Sequence, residues 1–312
     1  MPVFSIIIPL YNKENFIVKT VESALNQTFT DFEIIIVNDG STDSSLEKLT
    51  RFTDSRINIY TINNKGVSHA RNYGIAKASA KFIAFLDADD LWLPNHLKSL
   101  KQLIDTFPNC GLYANAYIKK KGDITLEPYY INIPKNWKGI VEDYFKSSLS
   151  SSIAWTSAVA APKDLLITLG CFDENITLGA GEDTDLWIRI ALNHPVAFNN
   201  NITAIYNLHA ENRISNSNTN LRRFLNLDDY EEAAKHNTSL KKYLDFNRFS
   251  IAIQYKLAGN KIQQAHYLEQ LDQRNLNRKQ RFILGCNKRM LVLLLNIQNA
   301  LRQFHIDLSP FK

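Results

Sequence analysis

Two carboxylates, Asp87 and Asp89, stand one residue apart at the end of an apolar run. Side chains at i and i+2 beyond a strand end can converge on one hard divalent cation. Mg²⁺ or Mn²⁺ held this way keeps waters and takes phosphate oxygens as further ligands. In another setting the same pair is a solvated acidic turn. A third carboxylate, Asp39, follows a second apolar run in Asn38-Asp39-Gly40-Ser41-Thr42-Asp43. A turn with a helix N-cap accounts for Ser41, and Asp43 fits the same account. Asp39 precedes the glycine and need cap nothing; it can accept the N–H of a pyrimidine base. Gly181-Glu182-Asp183 opens a helical stretch. Acidic groups are favoured at a helix N-terminus, and an Asp beside a metal crevice can equally take a proton from a hydroxyl; spacing alone does not choose. The first apolar run leaves through Pro9-Leu10-Tyr11-Asn12-Lys13. It has no Gly-x-Gly-x-x-Gly loop, and Tyr11 can pack against a base or simply against its neighbours.

The elements that must position these groups alternate. Short β-branched runs predict strands at 4–8, 33–37, 57–62 and 81–86. Apolar residues at helical spacing predict helices at 14–26, 44–52, 67–78 and from Pro94 to about 106. This rhythm implies a parallel sheet covered on both faces. Ligands bind such sheets beyond the carboxyl ends of the strands, which is where Tyr11, Asp39 and the 87–90 run fall. The middle is less regular, with strands expected at 112–119, 157–161 and 203–209 and a helix at 184–192. From about 218 the pattern is helical.

The chain has 312 residues and a net charge of +5, too mild to point to nucleic acid. Residues 241–312 carry 13 Lys/Arg against 4 Asp/Glu, so the first 240 residues are slightly acidic and the tail is basic. At 45% hydrophobic residues the chain can bury a full core. Cys110, Cys171 and Cys286 are scattered and odd in number, which suits a reducing cytosol rather than a disulfide framework. No signal peptide is expected at the start, and no segment approaches the ~18 apolar residues of a membrane span. A cytoplasmic protein is expected, with contact at the inner face of the cell membrane left open.

Segments 4–12, 33–43, 66–74, 85–90 and 170–192 occur in the order seen in family 2 inverting glycosyltransferases. Over about the first 210 residues the chain resembles that family of nucleotide-sugar enzymes. The resemblance implies an α/β fold of GT-A type, a Rossmann-like, mostly parallel sheet flanked by helices, here with a C-terminal α-helical extension. It implies metal-dependent transfer, with Mn²⁺ or Mg²⁺, from a UDP-sugar to a hydroxyl of a glycan or lipid-linked acceptor in bacterial surface polysaccharide synthesis. Carried over by motif, Pro9 and Tyr11 border the nucleobase, Asp39 binds the uracil ring, Arg71 lies on the nucleotide side and Asp87 near the ribose. Asp89 binds the metal, and Asp183 is the base. Glu182 accompanies it on the acceptor or phosphate side. Trp187 matches an aromatic near the acceptor pocket, with the core as the alternative. His209 matches a residue that meets metal or diphosphate, and Arg213 can neutralise leaving phosphate; an ordinary surface position is the alternative for both. Trp137 and Trp155, within 120–156, are acceptor-side candidates. Two rival classes are weaker. A nucleotidyltransferase would want a Gly-rich phosphate loop after the first strand. A non-catalytic nucleotide-sugar-binding protein would lack the base or the metal carboxylates.

The motifs end near 215. This suggests a catalytic domain at 1–215, with nucleotide binding at about 1–110 and the acceptor side at 111–215, and a helical extension at 216–312. In the extension Arg278, Lys279, Arg281, Lys288 and Arg289 punctuate the apolar stretches 282–284 and 290–295. Such a segment, 278–306, can lie on anionic lipid or pack on the catalytic domain. Packing is favoured, because 291–295 is apolar on all sides.

Overall fold

In the computed structural model, residues 1–210 and 217–303 are described. The chain begins with β1 (Phe4–Leu10), α1 (Ile17–Leu25), β2 (Phe32–Asp39), α2 (Ser45–Lys48), β3 (Ile57–Ile62), α3 (Val67–Lys77), β4 (Phe82–Phe85), β5 (Leu91–Trp92) and α4 (His96–Thr106). It continues through β6 (Leu112–Lys121), β7 (Ile124–Leu126), β8 (Lys138–Ile140), α5 (Tyr144–Ser147), β9 (Val159–Pro162), α6 (Lys163–Thr168), α7 (Glu182–Asn193) and β10 (Val196–Asn207). Five more helices follow: α8 (Glu231–Ala234), α9 (Thr238–Ala258), α10 (Lys261–Glu269), α11 (Arg278–Gly285) and α12 (Lys288–Gln303).

The period-2 alternation of the strands sorts their side chains into two cores. Phe4, Ile6, Ile8 and Leu10 of β1 join Ile34 and Ile36 of β2 on one face. Ile7 joins Ile35, Val37, Ile83 and Phe85 on the other. All are essentially fully buried, and each such side chain contributes about 1.5–3 kcal/mol of transfer free energy. The strand order is β3-β2-β1-β4-β9-β6-β10-β5, with β7 on β6 and β8 on β10. β1, β2, β3 and β4 are parallel, with Ile6 opposite both Ile34 and Ala84. Their carboxyl ends therefore share one edge, and the exit residues Tyr11, Asp39 and Asp87 are brought there together.

The sheet is mostly parallel, as expected, with one antiparallel strand in its interior. β9 runs antiparallel between β4 and β6, while β6 and β10 are parallel again. β10 starts seven residues before the predicted strand at 203–209, and its two-residue partner β5 carried no sequence signal of its own.

Helix α3 lies close on β1. A Cβ on Gly74 would stand 2.6 Å from Ile7 Cγ2, so only glycine lets the helix approach this far. That approach sets the depth of Arg71, one turn earlier.

The helical tail is not a separate layer. Leu240, Tyr243, Leu244, Ile251 and Tyr255 share the apolar cluster of Trp187 and Phe198, so the core crosses the expected boundary at 215. Asn237 caps α9 by accepting the Leu240 N–H at 2.9 Å, and Gly259 ends it in the left-handed region. The far tail has a small cluster of its own, Phe249, Leu271 and Leu276 with Ile283 and Leu284 against it. No described helix is long and apolar enough to cross a membrane.

Candidate active site

The shared edge of β1, β2 and β4 forms one wall of a cleft of about 430 Å³, and the start of α7 forms part of the other. Pro9, Tyr11, Asp39, Arg71, Asp87 and Asp89 line it, together with Glu182 and Asp183. Eight of the sequence-predicted site residues thus meet in one place.

Asp39 is buried. Its Oδ1 accepts the Lys65 N–H and its Oδ2 the Gly66 N–H, each at 2.9 Å. Burial pushes its pKa up, and the two amides counteract without cancelling it. Each carboxylate oxygen retains a second lone pair for a ligand donor.

Arg71 ties the two walls together. It donates to Asp87 Oδ1 at 2.7 Å and to Glu182 Oε1 at 3.1 Å. Burial opposes its charge, but the carboxylates of Asp87 and Glu182 outweigh that and raise its pKa. Glu182 is shifted upward, by burial first and by the neighbouring Asp183 second, with Arg71 opposing both. Among the described residues, Oε2 of Glu182 and Nε of Arg71 have no hydrogen-bond partner. The cluster is therefore incompletely satisfied within the protein.

Asp183 stands in the first turn of α7. Gly181, at φ 102°, caps that helix in the left-handed region, and a Cβ there would lie 2.6 Å from Leu225 Cδ2. The Thr184 N–H donates to Asp183 Oδ1 at 2.7 Å, and the Thr156 hydroxyl donates to Oδ2 at 3.2 Å. Both oxygens of this carboxylate are oriented before any ligand arrives.

Asp89 pairs with Lys13 Nζ at 2.7 Å. Next to it, Asp90 is buried and structural: Oδ2 accepts the Ser157 hydroxyl at 2.6 Å and Oδ1 the Asn207 N–H at 3.1 Å. Ser157 Oγ in turn accepts the Asp87 N–H at 3.0 Å. This chain fixes the 87–90 loop against β9 and β10.

Two expectations end elsewhere, and a third is not placed. Trp187 is 2% exposed and packs on Phe85 and Phe172, so it belongs to the core and not to the acceptor wall. His209 is exposed beside Gly122, in the turn between β6 and β7, and does not line the cleft. Arg213 lies outside the described residues. Among the described residues no group of three or more His, Cys, Asp or Glu side chains could hold a metal ion; a ligand set of Asp87, Asp89 and His209 is not formed. Trp137 is also absent from this cleft and lines a separate surface hollow.

Trp155 does line it, with Tyr117 at 4.4 Å and Tyr206 at 5.0 Å between ring centroids. Tyr117, Tyr206, Lys13, Lys119 and Thr156 were not singled out from sequence. Lys13 closes the Pro9–Lys13 exit of the first strand, and its charge there is the available signal.

Residues 5–158 match the family described as Glycosyl transferase family 2. WfaP of Escherichia coli, named UDP-Glc:alpha-D-GlcNAc-diphosphoundecaprenol beta-1,3-glucosyltransferase, is 33% identical over 213 residues, covering 67% of this chain and 79% of that one. The chain belongs to glycosyl transferase family 2. This family 2 member also resembles an uncharacterized glycosyltransferase of Rickettsia bellii (strain RML369-C), 35% identical over 192 residues, or 60% of this chain and 26% of that protein. The chain spans about 26% to 30% of the first three curated relatives it matches. Among solved structures, residues 1–349 of S. aureus TarS in complex with UDP-GlcNAc superpose with a TM-score of 0.60 at 19% identity, covering 86% of this chain and 70% of that one. That likeness is one of fold, the expected GT-A arrangement.

Proposed function

We propose that this protein transfers a sugar from a UDP-sugar to a hydroxyl of a lipid-diphosphate-linked glycan, with inversion at the anomeric carbon, on the cytoplasmic side of a bacterial membrane. The observation that carries the reading is the single cleft in which Asp39, Asp87 and Asp89 face Asp183 across Arg71. The substrate classes follow the printed activity of WfaP.

In this reading Tyr11 and Pro9 flank the base, and Asp39 accepts the uracil N–H. Asp183 takes the acceptor proton as the hydroxyl attacks the anomeric carbon. The bond to the UDP oxygen breaks on the opposite face, and UDP leaves with the electron pair. A positioned base contributes roughly 10²–10⁴-fold.

Asp87 and Asp89 fit Mn²⁺ or Mg²⁺, because such ions take one or two carboxylates and complete their shell with substrate phosphates and water. Both carboxylates line the same cleft, and Lys13 Nζ on Asp89 is the cation the ion would displace or share that carboxylate with. Bound there, the ion supplies charge neutralisation for the departing diphosphate.

The test is UDP release from UDP-glucose and other UDP-sugars, with and without a GlcNAc-diphospholipid, in Mn²⁺ and in EDTA. Acceptor-stimulated, EDTA-sensitive release is expected. UDP binding without release on any donor would identify a binding protein instead, and no UDP binding would remove the reading altogether.

A further inference from the structure

The last two helices carry a surface that the cleft does not use. Between Asp272 and Asp307 the sequence has seven Lys/Arg and no Asp or Glu. Helix α11 is anchored through Ile283 and Leu284, which pack on the Phe249 cluster. Helix α12 is anchored through Leu291, which is 3% exposed. Burial ends there. Phe282 is 63% exposed and Leu293 52%, and Met290, Val292, Leu295 and Ile297 are exposed between 42% and 45%. Arg278, Lys279, Arg281, Lys288 and Arg289 are exposed on the same two helices.

The sequence favoured packing as the fate of this segment. The structure packs one side of each helix and leaves large apolar side chains in water beside the cations. A run of exposed apolar residues this long marks an interaction surface. The charge decides its partner: a segment with cations and no carboxylate complements a negative surface.

We propose that α11 and α12 dock on a bilayer containing anionic phospholipid. Phe282, Met290, Leu293 and Ile297 enter the headgroup–acyl boundary, while the Arg and Lys side chains pair with lipid phosphates. Cations near such a surface each strengthen binding several-fold, and the effect is lost as salt rises. The docking needs neither the donor nor the acceptor, so it stands or falls apart from the catalytic reading.

Flotation with vesicles tests it. Full-length protein is mixed with phosphatidylcholine vesicles, with or without phosphatidylglycerol, at low and at high salt. Binding is expected only with phosphatidylglycerol and is expected to weaken with salt. The quadruple change R278Q/R281Q/K288Q/R289Q is expected to weaken it about 1,000-fold, and F282S/L293S to abolish it, with unfolding midpoints preserved. No flotation at low salt, or equal flotation with neutral vesicles, would overturn the proposal. So would light scattering that finds a dimer which L293S converts to monomer, because the face would then belong to a second copy.

Discussion

Arg71 on α3 donates to Glu182 on α7 at 3.1 Å, and both side chains are buried. With its second bond to Asp87, this guanidinium joins the strand-end carboxylates to the residue preceding the proposed base. Removing one partner of a buried pair leaves an uncompensated charge, which costs about 3–5 kcal/mol. Arg71→Met is expected to lower stability by about 3 kcal/mol in urea titrations. Adding Glu182→Gln should restore part of that loss, since no lone buried carboxylate remains at α7. Equal loss in the single and double variants would show that the two residues are not coupled.

The Gly74 contact gives a second expectation. An added methyl group would meet Ile7 Cγ2 at 2.6 Å, and overpacking of this kind costs about 1–3 kcal/mol. Gly74→Ala should therefore lower the unfolding midpoint, and it should weaken UDP binding, because Arg71 sits on the displaced helix. A variant as stable as the parent would mean that α3 has room to spare.

His96 makes the fold acid-sensitive. It is buried, stacks on Trp92 with ring centroids 4.3 Å apart, and meets Thr203 Oγ1 at 2.8 Å through Nδ1. Burial pushes its pKa down from 6.5 to about 3. As pH falls, the unfolded chain binds the proton first. The stabilisation is thus full above pH 6.5 and is lost progressively as pH falls toward 3. Between pH 7 and 4.5 this amounts to about 2 kcal/mol. His96→Gln should flatten the stability profile over that interval, and an unchanged slope would reassign the acid sensitivity.

Thr156 is expected to act through Asp183, the proposed base. Its hydroxyl donates to Asp183 Oδ2 at 3.2 Å. Thr156→Val should lower kcat about tenfold, since a hydrogen bond to a charged carboxylate is worth about 1.5 kcal/mol, and leave the donor KM unchanged. A change in donor KM alone would place Thr156 on the nucleotide instead.

The strand-end wall of the cleft was legible in the sequence because two local rules agree there. Continuous Ile/Val runs fix strands buried on both faces, and polar residues directly after them must lie at the carboxyl edge. Asp39, Asp87 and Asp89 follow from that without any long-range information. Asp183 was legible through the glycine that starts α7. Thr156 and Tyr206 were less so, since each reaches the cleft from a segment beside β9 or on β10, whose pairing is non-local. Trp187 shows the limit of periodicity: an aromatic one turn after Asp183 lies on the helix face that meets Phe85 and Phe172. The boundary at 215 followed where motifs stop, whereas the core is decided by the apolar face of α9, which packs across it.

The most direct test of the account is the rate of sugar transfer by Asp183→Asn beside its affinity for UDP. The amide keeps the side chain's shape and loses the ability to take a proton. Transfer is expected to fall at least about 100-fold, while calorimetry finds UDP binding in Mn²⁺ unchanged. Transfer at the parent rate would contradict the assignment of Asp183 as the base.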